Sequence, residues 1–227
     1  MNSALFRALE MILSLDAEIV AIASASVRFA LISTLFAAVL GLAAATGLYF
    51  RPGRAARVLL VVLNSLMSLP TVVIGLFIYS LLSRSGPLGP WGMLFTPAAI
   101  ILGQTILALP IIISMVYGAL SGLDPSLAET LETFRIPRFK RFLLILNEAR
   151  LRVLIALVAG FGRVIGEVGV SMMLGGNIRS YTRTITTAIA LETSKGEFEQ
   201  GLALGMILMT ISLGITAVMH AGLGREE

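Results

Sequence analysis

The chain has 227 residues, 57% hydrophobic and 13% charged, with a net charge of +4 and a mean hydropathy of +0.94. That is more apolar surface than a soluble fold of this size can hide, so the chain reads as an integral membrane protein. The absence of cysteine excludes disulfides and thiolate chemistry, and a single histidine, His220, leaves little for a zinc site or a catalytic pair.

Residues 1–28 carry Arg7, Glu10, Asp16 and Glu18 among apolar residues. They lack the charged start, unbroken apolar centre and cleavage site of a signal peptide, and read as mature chain. They form an expected amphipathic segment on the outer face, with a sixth, weaker pass left open there. Residues 29–50 are an uncharged apolar run long enough to cross a hydrocarbon core of about 30 Å. Residues 58–83 make a second pass, in which Pro70 and Gly75 are expected to bend or locally unwind the helix. The loop "SRSGPLGPWGM" follows, with Trp91 expected at the membrane interface. A third pass covers 95–120, with Pro110 inside it, a fourth covers 153–174 and contains Arg163 and Glu167, and a fifth covers 201–223. The expected fold is therefore all-α with about five transmembrane helices.

Orientation follows from the cations. Arg51, Arg54 and Arg57 follow the first pass, and six more basic residues lie in 135–152, so about nine of seventeen fall in two loops on one side. Those loops are assigned to the cytoplasm, which puts the N-terminus outside and the C-terminus inside. The same rule accounts for the pI near 10.0 without nucleic acid.

The second of these loops, 121–152, contains "ETLETFRIPRFKRFLLILNEAR". Asp124 followed by Pro125 reads as a helix N-cap with proline at the first helical position, which predicts a short helix over 125–134. Pro137 disfavours helix at Ile136 and forces a bend, and a second helix is expected over 138–150. A generic cytoplasmic loop also collects cations and some helix. However, Glu129, Glu132, Phe134, Phe142 and Ile145 resemble the loop by which permease subunits of ABC importers dock on their ATPase. The chain departs from that pattern at Thr130, Leu131, Phe134, Arg135, Asn147 and Glu148.

A second resemblance lies in "GRVIGEVGVSMMLGGNIRSYTRTITTAIALETSKGEFEQGLALG". Arg163, Gly166-Glu167, Val168, Gly169, Gly176-Asn177-Ile178 and the threonine-rich run 182–187 resemble the last membrane segments of oxyanion permeases of the molybdate, sulfate and tungstate group. "TTAIALETSKGEF" and the "NEAR" ending of the loop look most like the tungstate type. The resemblance covers roughly 29–223. It implies a type I ABC importer permease fold, with a transmembrane domain over 29–223 and an ATPase-docking loop over 121–152. It also implies ATP-driven oxyanion import across the cell membrane of a prokaryote, by a homodimer bound to two copies of a cytoplasmic ATPase and fed by an extracytoplasmic oxyanion-binding protein. There is no Walker A sequence here, so ATP and Mg belong to the partner ATPase and no cofactor or metal is expected on this chain. Asp124, Glu129, Glu132, Phe134, Arg135 and Phe142 are the expected docking residues.

Arg163 and Glu167 are four apart on one expected helix, where their side chains can meet. Charges at mid-membrane face protein or water. Two readings stand side by side: a neutralising pair that locks helices, and a pair that lines or gates an anion path together with Gly166, Gly169, Gly176 and Asn177. Gly175-Gly176-Asn177 is expected to end the helix, since glycine and asparagine tolerate left-handed backbone. Molybdate or sulfate as cargo, and an ATP-independent anion carrier, are the alternatives.

Overall fold

The computed structural model describes residues 6, 10, 13–14, 16–134 and 136–223, and among these every regular element is a helix. Helix α1, Ala17–Phe50, begins where the Asp16 carboxylate accepts the backbone N–H groups of Glu18 at 2.9 Å and Ile19 at 3.1 Å. Its 34 residues span about 51 Å at 1.5 Å each, well beyond a hydrocarbon core of about 30 Å. The sequence-based boundary between 28 and 29 thus falls inside a continuous helix, because the cap that starts it is Asp16 and Arg28 interrupts nothing. Residues 17–28 continue the first pass as a helical extension beyond the apolar run.

Phe29, Ala30, Ser33, Ala37, Gly41 and Ala45 form a buried stripe along α1 at spacings of one to four residues. The Ser26 and Ser33 hydroxyls bond back to the carbonyls of Ile22 and Phe29, which satisfies both within apolar surroundings. The stripe lies against α4, Pro97–Ser121, where a side-chain carbon on Gly41 would come within 2.7 Å of Ile112 Cγ2. Pro110 sits inside α4 without ending it.

Helices α2, Arg54–Met67, and α3, Thr71–Leu82, occupy the expected second pass but meet at 103°. Pro70, with φ −59° and ψ 126°, is the N-cap of α3, so the expected bend becomes a sharp turn through 68–70. Neither half is long enough to span alone. The Ser114 hydroxyl donates to Asn64 Oδ1 at 2.7 Å, tying α2 to α4.

Helices α5, Pro125–Thr133, and α6, Arg138–Glu148, match the expected loop helices. Ser126 N–H donates to Asp124 Oδ1 at 2.9 Å, confirming the cap, and Pro137 is the N-cap of α6. The Ser126 N–H, and then its hydroxyl, hold the Asp124 carboxyl below its usual range. That contribution to helix start is present above the ordinary carboxylate pKa and is lost as pH falls through the lowered one.

The expected fourth pass is two helices, α7, Arg150–Ile165, and α8, Gly169–Gly175, set at 60°. Gly176 (φ 68°) and Asn177 (φ 51°) then end α8 in left-handed backbone, as their residue types predict. Helix α9, Ile185–Lys195, was not expected; it starts at a capping box in which Thr184 and Thr187 exchange side-chain and backbone hydrogen bonds. Helix α10, Phe198–Leu223, is the last apolar helix.

A central core joins α1, α4 and α7 and takes in Leu131 of α5 and Ile145 of α6. A second cluster, at the far end, joins Ile19 and Ile22 of α1 to Ile185 of α9 and Leu204 of α10. A third joins Ile78 and Leu82 of α3 to Leu107 of α4 and to Val170 and Leu174 of α8. In this third cluster α8 rests on bare backbone: a carbon on Gly103 would lie 2.4 Å from Val170 Cγ1 and 2.6 Å from Leu174 Cδ1. Gly103→Val is expected to lift α8 and cost about 1–3 kcal/mol or more by overpacking, read as a lower melting temperature in detergent. At Gly118, where nothing lies within 4 Å, alanine should leave that temperature unchanged or raise it.

Candidate functional site

Two regions hold the expected functional residues, one at each end of α7. At the α7–α8 junction the helix stops at Ile165 and Gly166 is its C-cap, so Arg163 and Glu167 do not share a helix as expected. They meet across the break, with Arg163 Nη1 donating to Glu167 Oε2 at 2.9 Å. The Glu167 side chain is 3% exposed and that of Arg163 36%. Burial of this carboxylate is compensated on every side. Its Oε1 accepts Val170 N–H at 3.1 Å, a backbone donor that the short α8 leaves unpaired at its first turn. Its own carbonyl accepts the Thr186 hydroxyl at 2.8 Å.

Gly169 brings α8 against the start of α3, since a side-chain carbon there would sit 2.9 Å from Val72 Cγ2 and 3.0 Å from Thr71 Oγ1. Arg163, Gly166, Glu167 and Gly169 are therefore brought together. Gly176 and Asn177 lie at the other end of α8, about 10 Å away at 1.5 Å per residue. There Gly176 packs against Phe95, whose backbone N–H donates to the Leu174 carbonyl at 2.8 Å.

On its exposed side, Arg163 borders a cavity of about 420 Å³ enclosed by the α2–α3 turn and α4. Leu66, Met67, Val73, Phe77, Pro110 and Ile111 are among the apolar residues around it, and among the described residues Arg163 is the one charged side chain lining it. A cation is thus presented to an apolar-walled space while its counter-charge stays behind it.

Sequence reasoning did not identify Gln104. Its Oε1 accepts the Ser33 hydroxyl at 3.0 Å, and its Nε2 lies 3.4 Å from both the Val164 carbonyl and Ser171 Oγ. This buried amide joins α1, α4, α7 and α8 one turn before the break. The signal was present, an amide inside an otherwise apolar membrane run.

At the other end of α7, the loop helices sit on the C-terminal end of α1. Leu131, Ile145 and Ala149 are buried, the Arg141 guanidinium lies 5.0 Å from the centroid of the Phe50 ring, and Arg152 Nη1 donates to the Gly122 carbonyl at 3.0 Å. Phe134 is 75% exposed, and Phe142 packs beside Phe139 with ring centroids 6.4 Å apart. Phe134, Ile136, Pro137, Lys140, Leu143 and Leu144 line a cleft of about 470 Å³. The cleft is lined largely by apolar side chains, with Lys140 the basic residue among them. Of the remaining expected docking residues, Asp124 is the α5 cap. Arg135 and the side chains of Glu129 and Glu132 lie outside the described residues.

Comparison with known proteins places this architecture. A tungstate uptake permease of Campylobacter jejuni is 41% identical over 164 residues, covering 72% of this chain and 69% of its own. A tungstate uptake permease of Peptoclostridium acidaminophilum is 34% identical over 94% of each chain. A probable anion ABC transporter permease of Haloferax volcanii is 40% identical over 88% of each. Among solved structures, the MetNI methionine ABC transporter in inward-facing conformations superposes with a TM-score of 0.70 at 18% identity, covering 92% of this chain and 97% of that one. An amino acid ABC transporter superposes at 0.68 and 14%, covering 96% and 97%. The fold is that of the type I ABC importer permeases. Residues 37–221 match the family described as the inner membrane component of binding-protein-dependent transport systems, and to that family of multi-pass membrane permeases the chain belongs.

Proposed function

We propose that the chain is the permease subunit of an ATP-driven oxyanion importer whose cargo is tungstate. It forms the translocation path as a homodimer, takes its anion from an extracytoplasmic binding protein, and leaves ATP hydrolysis to two copies of a separate subunit. The cargo assignment is carried by the relatives: the tungstate permeases stand at 34–41% identity, against 31% for a molybdenum permease of Azotobacter vinelandii and 27% for a sulfate permease of Escherichia coli.

The observation that carries coupling is the placement of α5 and α6. They are fixed to the core on one face by Leu131 and Ile145, while Phe134 and the adjoining cleft remain uncovered. The ATPase occupies that face, with Glu129, Glu132 and Arg135 as its polar contacts and Phe134 and Phe142 as apolar anchors. Helix α6 is separated from α7 by Ala149 alone, so motion of the loop is delivered to α7 with little slack. In this orientation the loop faces the cytoplasm, with the N-terminus outside and the C-terminus inside. Closure of the ATPase on ATP draws the loop helices with it and opens the path outward, and hydrolysis returns it inward. Arg163 acts within the path, attracting the dianion, and Glu167 limits how tightly it is held.

Two measurements test this reading. Glu129→Lys reverses a charge on the docking face and is expected to lower ATP-driven tungstate uptake in proteoliposomes at least about tenfold, the scale of a lost charge-assisted contact. The variant should still elute as a dimer; unchanged uptake would remove the loop from the coupling role. Arg163→Gln is expected to slow uptake while leaving capture of tungstate by the binding protein unaltered, and a wild-type rate would confine Arg163 to locking the helix break.

A further inference from the structure

A second cationic site lies at the opposite end of the molecule from the loop helices. Arg28, Arg179 and Arg183 line one cavity of about 430 Å³ together with Glu18, Ser24 and Tyr181, among others. Three guanidiniums thus face one carboxylate. Glu18 is shared: its Oε2 accepts Arg179 Nη2 at 2.5 Å and its Oε1 accepts Arg183 Nη1 at 3.3 Å. Arg28 has no carboxylate partner among the described residues and rests 5.5 Å from the centroid of the Phe29 ring. Arg183 is 12% exposed, and its Nε is a buried donor without an acceptor among the described residues. A buried, unpaired donor beside surplus positive charge is costly unless an anion reaches it.

The pocket is held in shape before any ligand arrives. Arg179 and Arg183 project from the turn between α8 and α9, where Thr182 donates to the Gly175 carbonyl at 2.6 Å and accepts Ile178 N–H at 3.0 Å. Arg183 N–H closes the same turn on the Ile178 carbonyl at 3.0 Å. The opposite wall is the first three turns of α1, whose N-terminal end carries the positive pole of the helix. Arg28 stands about 33 Å from Phe50 along α1 at 1.5 Å per residue, so the pocket opens on the face away from the ATPase-docking loop.

We infer that this pocket binds a tetrahedral oxyanion at the outer mouth of the permease, with Arg28, Arg179 and Arg183 as ligands and Glu18 as the internal competitor that yields when the anion enters. The inference rests on the oxyanion-import reading. A small anion suits the geometry better than a flat protein surface, because Arg183, only 12% exposed, lines the cavity, whereas docking on the surface engages the exposed Arg28 and Arg179. The volume also leaves room for several waters, at about 30 Å³ each, around such an anion. Displacement of Glu18 makes binding weak enough to hand the anion onward, since the bonds from Arg179 Nη2 and Arg183 Nη1 replace ion pairs already made to Glu18.

The test is equilibrium binding of radiolabelled tungstate to the intact permease–ATPase complex in phosphatidylcholine nanodiscs, without binding protein. Saturable binding is expected. Arg183→Gln and Arg28→Gln should weaken it, the former about tenfold, as for loss of one charge-assisted hydrogen bond. Glu18→Gln should tighten it several-fold, since the competitor loses its charge. Opposite signs for Arg183→Gln and Glu18→Gln are what a purely structural ion pair does not give. Weakening in both, no change in any variant, or effects confined to capture of the loaded binding protein would overturn the inference. Arg28→Gln keeps the test sound if loss of the Arg183 clasp unfolds the turn.

Discs containing phosphatidylglycerol separate the sources of the anion: unaltered tungstate binding identifies the free ion, and competition identifies a lipid phosphate as an occupant of the same site. ATP-driven uptake with the binding protein is measured in parallel. Loss of uptake in the wild type defeats the import reading itself, whereas normal uptake with Arg28 and Arg183 variants that bind like wild type defeats only the pocket.

Discussion

A chain that interrupts a helix inside a bilayer must satisfy the freed backbone groups from within, because no water is there to do it. At 166–168 this chain does so through Glu167. One oxygen takes the Val170 N–H that opens α8, the other takes Arg163 from the end of α7, and the carbonyl takes Thr186 from the start of α9. Without that carboxylate α7 and α8 lose their junction, while the Thr186 bond, made to the backbone carbonyl, stays. Its burial is tolerable only because a cation and a helix start converge on it.

The amide of Gln104 serves the same need one layer away. By bonding Ser33 on α1 and lying against the Val164 carbonyl and Ser171, it gives four helices one polar contact in a region otherwise held by shape. Glycines set the distances at which those contacts form. Gly103 admits α8 to α4, Gly160 admits Ile112 to α7, and Gly169 admits α3 to the helix break. Van der Waals packing places the helices and a few buried polar groups fix their register, the division expected where lipid offers no hydrophobic drive between helices. Val58 and Val61 of α2 stay exposed, apolar surface that this arrangement does not cover.

Features governed by a single residue's backbone preference were legible in the sequence. Asp124-Pro125 starts α5, Pro137 starts α6, Pro70 turns the chain, and Gly176-Asn177 ends α8. Features governed by tertiary partners were not. Hydropathy averaged over 153–174 reads as one pass, because the break at Gly166 is defined by where Glu167 finds its partners and not by a loss of apolar character. The start of α1 was placed at Phe29 because charges mark a membrane boundary, yet a helix continues past that boundary whenever a cap further out supports it, as Asp16 does. The pocket of Glu18, Arg179 and Arg183 joins residues more than 160 positions apart, a pairing that spacing along the chain does not encode. Of the expected path residues, Arg163, Gly166, Glu167 and Gly169 lie together at the break, while Gly176 and Asn177 lie at the other end of α8.

The same division explains how a push on the loop helices would travel. Helix α7 has 16 residues, about 24 Å, and its interior hydrogen bonds resist bending. At its start Arg152 holds it to the Gly122 carbonyl, and Ala156, Gly160 and Val164 lie buried along its length. Its far end stops at Gly166, where the ladder is already interrupted and the remaining bonds are made by side chains of Glu167 and Thr186. Side-chain bonds of this kind rearrange through rotamer changes, whereas bending mid-helix requires breaking backbone bonds with no solvent to replace them. A displacement of α6 would therefore be relieved at the break and not along α7, within one turn of Arg163, the α7 residue that lines the cavity.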